Sequence, residues 1–274
     1  MVEINNNKYK LGLLDTCIIS QILSNPLSEM QAFFKKITES DSMILPCVTM
    51  WSVLELRSRV EHYQKFIEFF SVIPFCMLKT PDAILADEFM HYPYWNKIDP
   101  ILFAFSLLRP KEESLEYFLN KIFSQHEVIS AEKNWKHKWK RDALNSILSL
   151  KKNFEPINKN LNSEDAKKFI EEALPQYVIS QNLSWSKNRI DKKEEIIFDA
   201  FPSAKAGLYT VFYRFYVANR EPEIQDIFDI LINNVVPYVD YVITENFQAD
   251  ILRKIKKADE QFSHLEINTI KNLR

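Results

Sequence analysis

Glycine is almost missing from this chain: among 274 residues there are two, Gly12 and Gly207. Loops that cradle phosphate, of the P-loop or the dinucleotide-binding kind, need several glycines close together. ATP-driven and nicotinamide-dependent chemistry of those kinds is therefore excluded. Cysteine is scarce as well. Cys17, Cys47 and Cys76 lie in apolar contexts, no pair has metal-ligand spacing, and an odd number argues against a disulfide framework. The opening stretch MVEINNNKYK lacks the apolar core of a signal peptide, so a reducing, cytoplasmic setting is expected. No apolar run is long enough to span a bilayer, and no membrane partner is expected. The five histidines, His62, His91, His126, His137 and His264, show no H-E-x-x-H spacing, which argues against zinc. The formal net charge is −2. That is too small to draw the whole molecule to nucleic acid, so any such binding must come from a local patch.

What is present is an ordinary globular mixture, 46% apolar and 26% charged, long enough for one large domain or two modest ones. Few glycines and abundant Leu, Ile, Phe, Glu and Lys favour helix. YKLGLL (9–14) reads as a short buried strand, followed by a helical pattern over 16–37 that Pro26 interrupts. SMILPCV (42–48) reads as a second strand, and Thr49 can cap a helix through MWSVLELRSRVEHYQKFIEFF (50–70). SVIPFCML (71–78) reads as a third strand. From 81 to 202 the pattern is helical, punctuated by Pro93, Pro100, Pro110, Pro156 and Pro175. Helices are expected over 204–220 and 223–236, then the strand DYVIT (240–244), the helix FQADILRKIKKA (247–258) and a last strand, LEINTI (265–270). The outline is α/β, its sheet built from residues 1–80 and 200–274, with a mostly helical insertion over 81–199.

In an open parallel sheet, reactive groups gather past the C-terminal ends of the strands. Asp15 stands at that place after the first strand; taken alone, it or Thr16 reads as a helix cap. Glu55 lies one to two turns into the second helix beside Trp51, Val53 and Leu54. A carboxylate near such a face needs a partner or a cation, and Arg59 at i+4 offers a plain one. Asp226 and Asp229 form a D-x-x-D pair on one helix face. Like charges so placed repel unless a metal sits between them, although acids in a first turn also complement the helix dipole. Asp240 and Glu245 bracket the strand DYVIT. Acids from separated elements, without His or Cys, suit a hard cation, Mg²⁺ or Mn²⁺.

The segments KLGLLDTCIIS, ILPCVTMWSVLELRS and DIFDILINNVVPYVDYVITENFQADIL, in that order, resemble the PIN-domain family of metal-dependent ribonucleases. The resemblance covers roughly residues 9–80 and 200–270. It implies a PIN-like three-layer sandwich with a short parallel sheet. It also implies catalytic carboxylates at Asp15, Glu55, Asp226 and Glu245, with Asp229 and Asp240 as further acids of the metal site. Mg²⁺ or Mn²⁺ would be the cofactor, RNA the partner, and a homodimer the assembly. Two features depart from the family pattern. Many members carry Asp two residues after the strand-closing Thr, where this chain has Asn246 after Thr244, its acid being Glu245. The insertion makes the chain about twice the size of compact toxin-type members.

The insertion also holds KNWKHKWKR (133–141), four Lys, one Arg and one His in nine positions. Lys133, Lys136, Lys138, Lys140 and Arg141, with Trp135 and Trp139 on one helical face, suit a single-stranded nucleic acid. The plainer reading is an amphipathic helix that buries both Trp rings. RSRVEH (57–62) matches the R-x4-H spacing of another ribonuclease class, a spacing that arises easily by chance. The sequence thus leaves three readings: a PIN-like nuclease, a non-catalytic nucleic-acid-binding or scaffold protein with an eroded site, and an unrelated α/β protein whose acids are caps and rims.

Overall fold

Side chains on a strand alternate between its two faces, and here both faces are apolar. On one face lie Leu11, Leu13, Leu45, Cys47, Cys76, Leu78 and Val242, in one buried cluster. On the other lie Leu14, Ile44, Val48, Phe75, Met77, Tyr241 and Ile243, in a second cluster. A sheet with two apolar faces must be covered on both, which is the signature of parallel strands crossed by helices. The computed structural model describes residues 2–4, 7–24, 30, 31, 33, 35, 43–105, 114–134, 140–153 and 161–273.

Among these residues seven strands form one sheet: β1 (Val2–Ile4), β2 (Asn7–Leu14), β3 (Met43–Thr49), β4 (Phe75–Leu78), β5 (Ile101–Phe105), β6 (Tyr241–Thr244) and β7 (Glu266–Thr269). Their order is β5-β4-β3-β2-β6-β7, with β1 paired to the start of β2. Strands β4, β3, β2, β6 and β7 run parallel, whereas β5 and β1 run antiparallel to their neighbours. The protein is therefore α/β with a mostly parallel sheet between helices, and residues from both ends of the chain meet at its centre. Gly12 is needed at that centre: a Cβ there would come within 2.5 Å of Ile44 Cγ2 on β3.

One face is covered by α1 (Thr16–Ser24), α2 (Met50–Arg57), α3 (Val60–Phe70) and α5 (Leu115–Phe123). The other is covered by α4 (Pro81–His91), α8 (Ser163–Gln181), α10 (Pro202–Val211), α11 (Asp226–Asn233) and α12 (Asn246–Ala258). Three more helices among the described residues are α6 (His126–Asn134), α7 (Lys140–Asn153) and α9 (Leu183–Asp191). Thr49 caps α2 as expected, its Oγ1 accepting from the Ser52 amide at 3.0 Å. The expected helix over 50–70 is two helices, because the chain turns at Ser58 and Arg59. Much of the helical pattern expected after Ser24 falls outside the described residues.

The largest correction lies in the stretch read as wholly helical. Ile101–Phe105 is a strand, antiparallel to β4 at the sheet edge. Its five residues are too few to show a period, and Pro100 before it masks a strand start. A second correction concerns 204–220: α10 ends at Val211 and the chain continues as a π-helical turn, Phe212–Val217. Its wider turn admits an extra residue and re-aims the side chains that follow. No helix among the described residues is long and apolar enough to cross a membrane.

Candidate functional site

From β2 the chain crosses through α1 to β3 on one side; from β6 it crosses through α12 to β7 on the other. Neighbouring parallel strands whose connections leave in opposite directions open a crevice beyond their C-terminal ends. Asp15 follows β2 at this point and Glu245 follows β6. An open cleft of ≈ 610 Å³ lies here, lined among the described residues by Asp15, Thr16, Cys17, Glu55, Arg59, Glu132, Asp229 and Glu245 with neighbouring side chains.

Backbone and side chain both fix Asp15. Its amide donates to Ile243 O at 3.1 Å, extending the ladder between β2 and β6. Its carbonyl accepts from the amides of Ile18 and Ile19 and so starts α1. The carboxylate turns the other way, where Oδ2 accepts from Thr244 Oγ1 at 2.5 Å. The side chain that could have capped α1 is thus oriented across the strands by the residue closing β6. Glu245 is exposed on the cleft wall, and its side chain makes no capping bond to α12. Asn246 is not among the residues lining the cleft. Glu55 reaches the wall from α2 and Asp229 from α11. Burial pushes the Asp229 carboxyl up to about 7; Arg214 opposes the rise, while Asp15, Glu245 and Asp226 add to it. Burial, with Asp15 and Glu245 nearby, also pushes the Cys17 thiol up.

Two expected members of the acid set face elsewhere. Asp226 is 1% exposed and is not on the cleft wall. Its Oδ1 accepts from Arg214 Nε at 2.8 Å and its Oδ2 from the Glu223 amide at 2.7 Å, which closes the turn into α11. Asp240 stands at the other end of β6, where Oδ2 accepts from the Leu11 amide at 2.9 Å and the side chain borders a different cavity with Trp95 and His264. A strand-opening acid cannot join a site at the strand's closing end.

No family model matches the chain, and no characterised protein or solved structure shows significant similarity to it.

The metal implied by the resemblance can be weighed against the side chains themselves. Asp15, Glu55, Asp229 and Glu245 offer oxygen donors only, as Mg²⁺ and Mn²⁺ require. Thr16, 7% exposed and on the cleft wall, has a buried Oγ1 with no hydrogen-bond partner among the described residues. Yet no three His, Cys, Asp or Glu side chains among the described residues are gathered to hold one ion. Such a wall fits an ion of the Mg²⁺ kind, which is held by one or two carboxylates, water and substrate phosphate rather than by an all-protein cage. It does not fit the full six-acid set, since Asp226 and Asp240 are engaged elsewhere.

The basic segment is only partly visible. Lys133 is exposed in the last turn of α6, next to Glu132 on the cleft wall, and Arg141 is exposed on α7. Lys136 and Lys138, with both Trp rings, lie outside the described residues, as does the side chain of Lys140. Arg57 of the R-x4-H match is engaged structurally, 3.5 Å from Glu132 and 4.2 Å from the Phe123 ring centroid. Sequence reasoning missed Arg214 as a member of the site. The signal was legible: a lone charge in the apolar run FYRFYV must find a partner when buried. It also passed over Arg59 as a cation facing the cleft, treating it only as a partner for Glu55.

Proposed function

We propose that this chain is a PIN-like, metal-dependent nuclease that hydrolyses phosphodiester bonds, RNA being the substrate to test first. One observation carries the reading: neighbouring central parallel strands end in Asp15 and Glu245, and Asp229 and Glu55 come from two other helices to the same cleft. A cap or rim role for each acid separately would not bring four of them to one switch point. The chemistry supplied by Mg²⁺ or Mn²⁺ held there is activation of water and neutralisation of phosphate charge. Asp15 and Glu245 would hold it, water and substrate phosphate completing its shell, with Glu55 and Asp229 on the same cleft wall. Thr244 keeps Asp15 turned toward the cleft through its donated hydrogen bond. Arg59 and Lys133, both exposed at or beside the wall, supply cations for a polyanion's phosphates, which an acidic cleft would otherwise repel.

One observation favours the second reading, a non-catalytic nucleic-acid binder: Asp226, third acid of the expected set, is withdrawn into an ion pair with Arg214. A labelled single-stranded RNA incubated with Mn²⁺ separates the two. The nuclease reading expects cleavage that is lost in Asp15→Asn and in EDTA. Retarded but uncut RNA in the wild type would transfer the assignment to the binder. Neither cleavage nor binding, with RNA and with DNA, would overturn both.

A further inference from the structure

Asp226 and Asp229 stand one turn apart on the same face of α11, with Asp226 fully buried. Two carboxylates so placed need a cation between them. Arg214 provides one. Its guanidinium donates from Nε to Asp226 Oδ1 at 2.8 Å, from Nη2 to Asp229 Oδ2 at 2.5 Å, and from Nη1 to Gln248 Oε1 at 3.0 Å. Arg214 is 3% exposed, and its charge is permanent, because guanidinium does not lose its proton in proteins. The planar fork matches two carboxylates in a way that a lysine cannot. Its position depends on the π-helical turn Phe212–Val217, which sets Arg214 facing both α11 and α12.

We infer that Arg214 is a built-in cation at the D-x-x-D pair, occupying the place where a metal ion would otherwise bind. Resting on the nuclease reading, this limits the cleft to one divalent ion, on the side of Asp15 and Glu245. A second ion at Asp226 would have to displace the guanidinium or sit against it. Arg214 then has two roles. It neutralises the pair without metal, and through Gln248 it ties α11, which carries Asp229, to α12, which follows Glu245.

The test is Mn²⁺ titration by calorimetry together with thermal melts, on the full chain. The wild type is expected to bind one Mn²⁺, lost in Asp15→Asn. Arg214→Met leaves the pair only the longer, half-exposed Arg220 contact, 3.5 Å from Asp226 Oδ1, so its melting temperature in EDTA should fall by about 10 °C. Mn²⁺ should restore it by more than any shift in the wild type, and the stoichiometry should rise by one. Arg214→Met combined with Asp226→Asn should fold without metal and lose that extra response. Two ions bound by the wild type, or an Arg214→Met variant that Mn²⁺ rescues no better than the wild type, would overturn the inference. Should Arg214→Met fail to fold in either condition, the double variant shows why. If it too is unfolded, Arg214 is a packing residue; if it folds, Arg214 neutralises the pair but Mn²⁺ does not take its place; either result overturns the inference. A wild type that binds no Mn²⁺ and cuts nothing sinks the nuclease reading instead, while the Arg214 melts still report on the pair.

Discussion

Glu88 and the acids of the cleft are the same chemistry put to opposite uses. Glu88, on α4, is 0% exposed. Its Oε1 accepts from the Ser203 amide at 2.8 Å and from Tyr238 Oη at 2.6 Å, and its Oε2 from Ser203 Oγ at 2.9 Å. Burial still pushes its carboxyl up to about 7, against those three hydrogen bonds. In the cleft, Asp15 accepts from Thr244, while Glu245 stays exposed, its carboxylate making no hydrogen bond or ion pair among the described residues. Glu88 directs its lone pairs inward and joins α4, α10 and the turn before β6. The cleft acids line an open wall instead. A buried acid with all its donors supplied is a structural joint; acids brought to one open cleft leave room for something positive.

The sharpest test of that contrast is Asp15→Asn. Activity on a phosphodiester should fall by about 1,000-fold, the scale for loss of a central electrostatic group. The melting temperature should hold or rise, because a repelling charge is gone and Asn can still accept from Thr244. Glu88→Ala should show the reverse. Strand-separated donors are left unpaired in the core, so unfolding in urea should become easier by about 4 kcal/mol, with metal binding intact.

The pH dependence of stability sharpens the comparison further. The folded-state pKa of Glu88, about 7, is above its ordinary value of 4.5. Its proton is therefore held more tightly by the folded chain. Its contribution is full below about pH 4.5 and is lost as pH rises through 7, by up to about 3 kcal/mol. Urea melts at pH 5 and pH 8 should show this slope, and Glu88→Gln should reduce it to the part that Asp229, raised to about 7 as well, carries. A slope unchanged in Glu88→Gln would mean that another group carries it. The smallest effects belong to the rim. Arg59→Ala and Lys133→Ala should each weaken single-stranded RNA binding about threefold and lower the salt slope by about one. Filter binding at several salt concentrations would measure both.

How far the sequence disclosed this arrangement depends on the kind of signal. The apolar runs before Asp15 and Glu245 have the near-continuous hydrophobicity of buried parallel strands, so both acids could be placed at strand ends before any coordinates. Thr49 was legible because a capping residue stands directly before an apolar helix. Ile101–Phe105 was not, since five apolar residues carry no distinguishing period. D-x-x-D spacing gives a shared face but not which carboxylate faces solvent; that was decided by Arg214, whose approach depends on a π turn that leaves no pattern. Glu88 read as an ordinary acid on a helix, because nothing local announces Ser203 and Tyr238, which arrive from over a hundred residues away.

The central strand also sets a timetable. Leu13 of β2 lies in register with Val242 of β6, so one side of the sheet's middle waits for the long stretch between Leu13 and Val242 to be made. At about 5–20 residues per second, the ribosome leaves the Gly12–Leu14 edge open for some ten to fifty seconds. During that interval β3 can already cover the opposite edge, while the exposed backbone groups could pair with any extended segment nearby. Cells making this protein would therefore hold a half-built sheet on the ribosome, and a chaperone that shields strand edges should raise its yield more than one that shields apolar helices.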